Sequence, residues 1–216
     1  MKKPNKFSII LSLFIVAILS LSVNAAANDP LSSKTNEIQK KVAEISNMDK
    51  EVLAQVGESV ITNIDVLKYK AYSEIQSEAG SDEELSISLG TELSILEELI
   101  TEELYLQLAN EKGVSATIED GLMESHKNRK VLESQPQRIR DIQEKLIASM
   151  GVSEEEYWNE IAPREYQKII SVQNLTNLLI EDGTLSFDGD KINGFGQELK
   201  NFKRDLYEKY KADSVK

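Results

Sequence analysis

ILEELITEELYLQLANEKGV, residues 95–114, decides the fold class. With the residues just before it, it places Leu89, Leu93, Leu96, Ile100 and Leu104 three or four positions apart, the spacing that lines one side of an α-helix. Ile95, Leu99 and Leu106 fall outside that stripe, so the predicted helix, from about Leu85 to Lys112, is covered on more than one side and sits at the centre of the core. Gly113 supplies the left-handed residue that ends it.

Upstream, Gly80, Ser81 and Asp82 interrupt the pattern, and an earlier helix is predicted to run to Glu78. Thr62 and Asn63 are its capping residues, and Asp65 in its first turn meets the partly positive free N–H groups there. Before it, VLAQVGESVIT, Val52 to Thr62, is rich in β-branched residues and turns at Gly57, which predicts a short strand pair. It is the one β segment expected. Asn28 to Lys50 is polar, with weak apolar spacing through Ile38, Val42 and Ile45, and reads as a flexible or partly helical start.

Downstream, Thr117 and Asp120 have the spacing of a cap for a helix that passes through His126, Lys127, Arg129 and Lys130 toward Ser134, where Pro136 ends or kinks it. Ile139, Ile142, Leu146 and Met150 mark one face of the next helix, Arg138 to Met150, closed by Gly151. Ser153 and Glu156 cap another, which bends near Ala162 because Pro163 cannot donate a backbone hydrogen bond. Its later part carries Tyr166, Ile169, Val172, Leu175 and Leu179 on one side. Glu181 to Gly196, with four glycines and three aspartates, reads as a loop, and Gln197 to about Lys211 as a charged helix. The apolar spacing breaks too often for a coiled coil, and no internal repeat is found.

The N-terminus has its own logic. Lys2, Lys3 and Lys6 precede an apolar run from Phe7 to Val23, and Ala25-Ala26-Ala27 offers the small residues of a cleavage site, the order of a secretory signal peptide. Cleavage there removes three lysines and no acid, taking the formal charge from −12 to −15. Nucleic-acid binding and association with anionic membranes are disfavoured by that charge. About 190 residues remain, enough to bury a core without disulfides. The absence of cysteine excludes a disulfide scaffold, a thiolate nucleophile, a cysteine-bound metal and a lipid anchor on an N-terminal cysteine.

Chemistry-bearing motifs are scarce. Glu97-Glu98, Glu102-Glu103 and Glu154 to Glu156 are clustered carboxylates, but nothing supplies the pocket that would split their pKa values or the glycine-centred loop that calcium needs. They read as solvated surface. His126 has no second histidine with which to bind a metal and reads as solvent-facing. The basic run His126 to Lys130, with Arg138 and Arg140, either steers an acidic partner or pairs with neighbouring glutamates, the second being favoured. Asn174-Leu175-Thr176 has the form of a glycosylation acceptor but falls within a helix. No catalytic, metal or cofactor residue is assigned.

Three motifs in order then carry a resemblance: Ala54 to Thr62 (AQVGESVIT), Leu96 to Gly113 (LEELITEELYLQLANEKG) and Gly151 to Tyr157 (GVSEEEY). Together they resemble the N-terminal chaperone domain of the SurA-like and PrsA-like extracytoplasmic foldases, over roughly Glu51 to Ile180. The resemblance implies a mainly α, SurA N-terminal-like helical domain with a short β segment near its start and a C-terminal helix packing back. Members typically add a parvulin-type prolyl isomerase domain, for which the 34 residues after Asp182 leave no room. Many members also have Asn-Gly at the turn that Gly57 forms here.

The resulting expectation divides the chain into a signal peptide (1–27), a flexible or partly helical segment (28–50), a helical chaperone domain (51–182), and a Gly/Asp loop with a C-terminal helix (183–216). It is a secreted or envelope-located protein, neither lipid-anchored nor stably inserted in the membrane. It binds unfolded or newly exported polypeptides without ATP, cofactor or catalysis. Periodicity does not separate side chains that line a polypeptide site from those of the core. Two other readings stay open: a dedicated envelope or spore protein with one partner, and a prolyl isomerase that works without a parvulin domain.

Overall fold

The computed structural model describes residues 30–79, 91–186 and 192–214. The expected signal peptide, the expected break at Gly80 to Asp82, the expected helix start at Leu85 and the part of the expected loop around Gly189 lie outside the described residues. In chain order the elements are α1 (Pro30–Ser46), β1 (Val52–Val56), β2 (Ser59–Thr62), α2 (Asn63–Ala79), α3 (Glu92–Glu111), α4 (Ile118–Glu133), α5 (Gln137–Ser149), α6, and α7 (Ile192–Ser214). Helix α6 is one run that opens at Glu154–Glu156, widens into a π-helical turn at Tyr157–Ile161 and continues as Ala162–Glu181. The chain is therefore mainly helical, with a two-stranded sheet near its start and a C-terminal helix packed on the others, as expected from the sequence.

β1 and β2 pair antiparallel from Val52 opposite Thr62 to Val56 opposite Ser59, and Gly57, at φ 55°, makes the turn that a side chain would strain. Their bases are tied to α2. Asp65 accepts hydrogen bonds from the Thr62 N–H and hydroxyl at 2.8 and 2.6 Å, and the Asn63 side-chain oxygen Oδ1 accepts from the N–H groups of Ile64 and Glu51. These bonds satisfy donors that a helix start leaves open and fix the angle at which the hairpin leaves the helix.

The largest apolar cluster joins Ile38, Val42 and Ile45 of α1, Val56 and Ile61 of the hairpin, Val66, Tyr69 and Tyr72 of α2, Ile95, Leu99 and Ile100 of α3, and Ile139 and Leu146 of α5. A second gathers Ile147, Tyr157, Trp158, Ala162 and Tyr166. A third holds Tyr105, Ala109, Leu175, Leu179 and Leu185, covered by Leu199, Phe202 and Leu206 of α7.

The segment expected to be flexible or partly helical contains α1, which buries Ile38, Val42 and Ile45 in the main cluster, and each such side chain contributes about 1.5 to 3 kcal/mol. Two expectations need correction. The stripe assigned to α3 is rotated. Leu93 is 65% exposed, while Ile95, Leu99, Ile100, Tyr105 and Ala109 are buried, because α2, the hairpin, α6 and α7 press on α3 from different sides. Finally, α7 begins at Ile192 instead of Gln197, so Gly194 and Gly196 are helical and not loop. Glycine costs a helix about 1 kcal/mol per position; the burial of Leu199, Phe202 and Leu206 farther along offsets it.

Candidate functional site

Among the described residues the most extensive helix pairing brings α4 onto the start of α6, with a very close backbone approach. A Cβ built on Gly121 would stand 2.0 Å from the Pro163 carbonyl oxygen and 2.9 Å from the Gln167 nitrogen, so only glycine allows this approach. One turn on, the buried Ser125 hydroxyl donates to the Trp158 carbonyl at 2.7 Å. The need for that bond follows from the π register. Ala162 donates its N–H to Tyr157, five residues back, and the corresponding donor for Trp158 would be residue 163, a proline without an N–H. Ser125 supplies the missing hydrogen. Tyr157 and Trp158 are both buried by the widened turn and meet edge to face, with centroids 4.9 Å apart.

With Gly121 and Ser125 facing inward, the opposite side of α4 faces solvent. Four of the eight large apolar side chains left exposed among the described residues lie on this one helix: Ile118, Leu122, Met123 and Val131. Met123 and Val131 share the outermost face with His126, Lys127, Lys130 and Ser134, lining an open groove of about 570 Å³. Apolar side chains scattered singly over a surface are ordinary, but a group on one helix face interleaved with cations is a chemical feature. Part of the basic run is paired with glutamate, as favoured from the sequence: Lys127 with Glu124 at 3.1 Å and Arg129 with Glu155 at 3.3 Å. Lys130 makes no ion pair among the described residues. His126 is exposed, with Nε2 3.2 Å from the Asn159 side-chain oxygen. The side chain of Arg138 lies outside the described residues.

Of the clustered carboxylates of α3, Glu98 is exposed as read, but Glu97, Glu102 and Glu103 depart from the reading as solvated surface. Glu103 is buried, accepts from the Ser59 hydroxyl at 2.6 Å and lies 3.4 Å from the Lys168 ammonium. Glu102 is half-buried, and burial, with Glu103 and Glu98 adding to it against the pull of Lys168 and Lys203, pushes its carboxyl up to about 7. Burial also holds the Tyr69 hydroxyl above its ordinary range, and the nearby Glu98 carboxylate, to which it hydrogen-bonds, adds to the shift. Glu97 reaches the Tyr207 hydroxyl of α7 at 3.4 Å. The reason for the departure is geometric: α3 is surrounded, so the positions between its apolar residues also face neighbouring elements. Glu154 to Glu156 do lie exposed at the start of α6.

Helix α7 closes over α3. Phe202 meets the Tyr105 ring edge on at 6.1 Å, the Lys203 ammonium lies 5.2 Å from the centre of the same ring, and the Tyr210 hydroxyl donates to the Gln55 carbonyl of β1 at 2.8 Å. Leu104, Leu108, Leu206 and Tyr210 border a smaller groove of about 260 Å³ between the two helices.

Among the described residues no group of three or more His, Asp or Glu side chains is placed to hold a metal ion, and no helix is long and apolar enough to cross a membrane. Of the residues that shape the site, Gly121 and Ser125 escaped the sequence reading; their small size at a four-residue spacing, facing a helix with an internal proline, is the signal that could have found them. Comparison with known proteins gives no matching family, curated protein or solved structure.

Proposed function

We propose that this protein is an extracytoplasmic, ATP-independent chaperone-like module that holds unfolded or newly exported polypeptides. The observation that carries the reading is the outer face of α4, where folding leaves Met123 65% exposed beside Val131 on a helix whose other side is fully engaged. Such a face gains by covering its apolar surface with another chain, at roughly 25 cal/mol per Å² removed from water. The mechanism is burial followed by release, with no bond made or broken. The surplus of acid elsewhere on the surface would keep chaperone and client complexes apart in solution. The order of elements, a hairpin, a central helix and a C-terminal helix folded back, is also that of the foldase module whose motifs the sequence resembles.

The direct test is light scattering of an aggregation-prone client diluted from denaturant without ATP, with and without the purified protein at a near-equal molar ratio. Suppression across unrelated clients supports a general holdase. Unchanged scattering with every client, from a protein that circular dichroism shows to be folded, removes the reading in favour of a single dedicated partner. A prolyl-peptide assay with no turnover separates both from an isomerase.

A further inference from the structure

We infer that the outer face of α4 selects extended polypeptide segments in which apolar residues alternate with acidic ones, the apolar residues covering Met123 and Val131 and the acidic ones meeting Lys127 and Lys130. The inference rests on the chaperone reading and names the client chemistry of the same surface. Its basis is charge complementarity. The chain carries a formal charge of −12, yet among the described residues the charged or titratable groups that line the groove on this face are His126, Lys127 and Lys130, with Glu124 beside it paired to Lys127. Arg129, the remaining cation of the run, is turned aside to Glu155, and Lys127, although 3.1 Å from Glu124, keeps its side chain 70% exposed. Positions 123, 127, 130, 131 and 134 recur at helical spacing, so Lys127 and Lys130 lie between Met123 and Val131 on one face over more than two turns.

The negative charge of the whole molecule does not cancel this preference at contact. Fields fall off over about 8 Å at physiological salt, so a bound segment responds to the lysines beside it far more than to glutamates across the molecule. A segment with basic residues would face Lys127 and Lys130 directly, and like charges held together destabilise a complex. A purely acidic segment without apolar residues would leave Met123 and Val131 uncovered.

The test uses fluorescence anisotropy of three labelled, unstructured peptides of equal length: one alternating leucine with aspartate or glutamate, one with lysine in place of the acids, and one with serine in place of leucine. The expected result is saturable binding of the first, about tenfold tighter than of the other two, weakening as salt rises. In the variant Lys127→Glu with Lys130→Glu, the preference should reverse toward the lysine peptide, and Met123→Ser with Val131→Ser should weaken all binding. These positions are exposed, so the variants should keep the circular dichroism of the parent. Equal binding of the acidic and basic peptides, no binding of any, or no effect of charge reversal would overturn the inference. So would binding of anionic lipid vesicles without binding of the peptides. The two readings fail separately. If the charge-reversed variant suppresses client aggregation as well as the parent does, the selectivity falls and the chaperone reading stands. If the peptide binds as expected but no client is protected, the surface stands and the holdase reading falls.

Discussion

The Ser125 hydroxyl of α4 donates to the Trp158 carbonyl of α6 at 2.7 Å and thereby replaces a hydrogen that Pro163 does not have. A buried carbonyl without a partner costs about 1 to 3 kcal/mol. Ser125→Ala should therefore lower the unfolding free energy by about 2 kcal/mol in urea titration, although alanine is the better helix former. A loss below about 0.5 kcal/mol would mean that the carbonyl finds another donor.

Gly121 and Gly196 both lie within helices, yet they should respond to alanine in opposite directions. A Cβ at Gly121 would be 2.0 Å from the Pro163 backbone oxygen, and neither α4 nor α6 can yield by a side-chain rotation; at Gly196 nothing lies within 4 Å. Gly121→Ala is expected to cost about 3 kcal/mol, or to loosen the α4 contact with α6 enough to change tryptophan fluorescence at Trp158. Gly196→Ala should add about 0.5 to 1 kcal/mol through helix propensity alone. Paired melts of the two variants check both.

Those two glycines also mark where sequence reading stops. The capping bond of Thr117 with Asp120 was legible because a cap is local, with donor and acceptor three residues apart; Thr62 was legible as a cap too, though not the return of the Asp65 carboxylate to it. The hairpin and the helical class were legible because periodicity is local too. The rotation of α3 was not, since Leu93 and Leu99 differ in burial only through what α2, α6 and α7 bring near them. The same holds for Glu103, whose partners Ser59 and Lys168 lie 44 and 65 positions away. The candidate surface on α4 was half legible. Its cations were evident from the sequence, but Met123 and Val131 could be known as exposed only once Gly121 and Ser125 had fixed which side faces α6.

Glu102 should make stability depend on pH near neutrality. Its folded carboxyl is held up to about 7, above the ordinary 4.5, first by burial. Between those values the folded protein keeps a proton that the unfolded chain has lost, so this group favours folding least above pH 7 and is neutral below about 4.5. Lys168 and Lys203 oppose the shift, Glu103 and Glu98 support it, and partial exposure screens part of it. Glu102→Gln should thus be about 1 kcal/mol more stable than the parent at pH 8, with the difference vanishing near pH 4.5. A difference that is constant across this range would remove the assignment.

Lys168 and Glu103 bind α6 to α3 at 3.4 Å, with side-chain exposures of 20% and 10%. Removing only the lysine leaves a buried carboxylate held by the Ser59 hydroxyl and little else, so Lys168→Met should cost about 2 kcal/mol, less than the 3 to 5 typical of a fully buried pair. Glu103→Gln alone leaves the lysine closer to water and keeps a side-chain oxygen for Ser59, so it should cost about 1 kcal/mol. The double variant removes both charges, and methionine can pack where the lysine stem lay. It should therefore be no less stable than Lys168→Met alone, giving a coupling energy of about 1 kcal/mol in the double-mutant cycle. Strict additivity of the two substitutions would show that the ion pair contributes nothing of its own, and that Ser59 alone accounts for the buried position of Glu103.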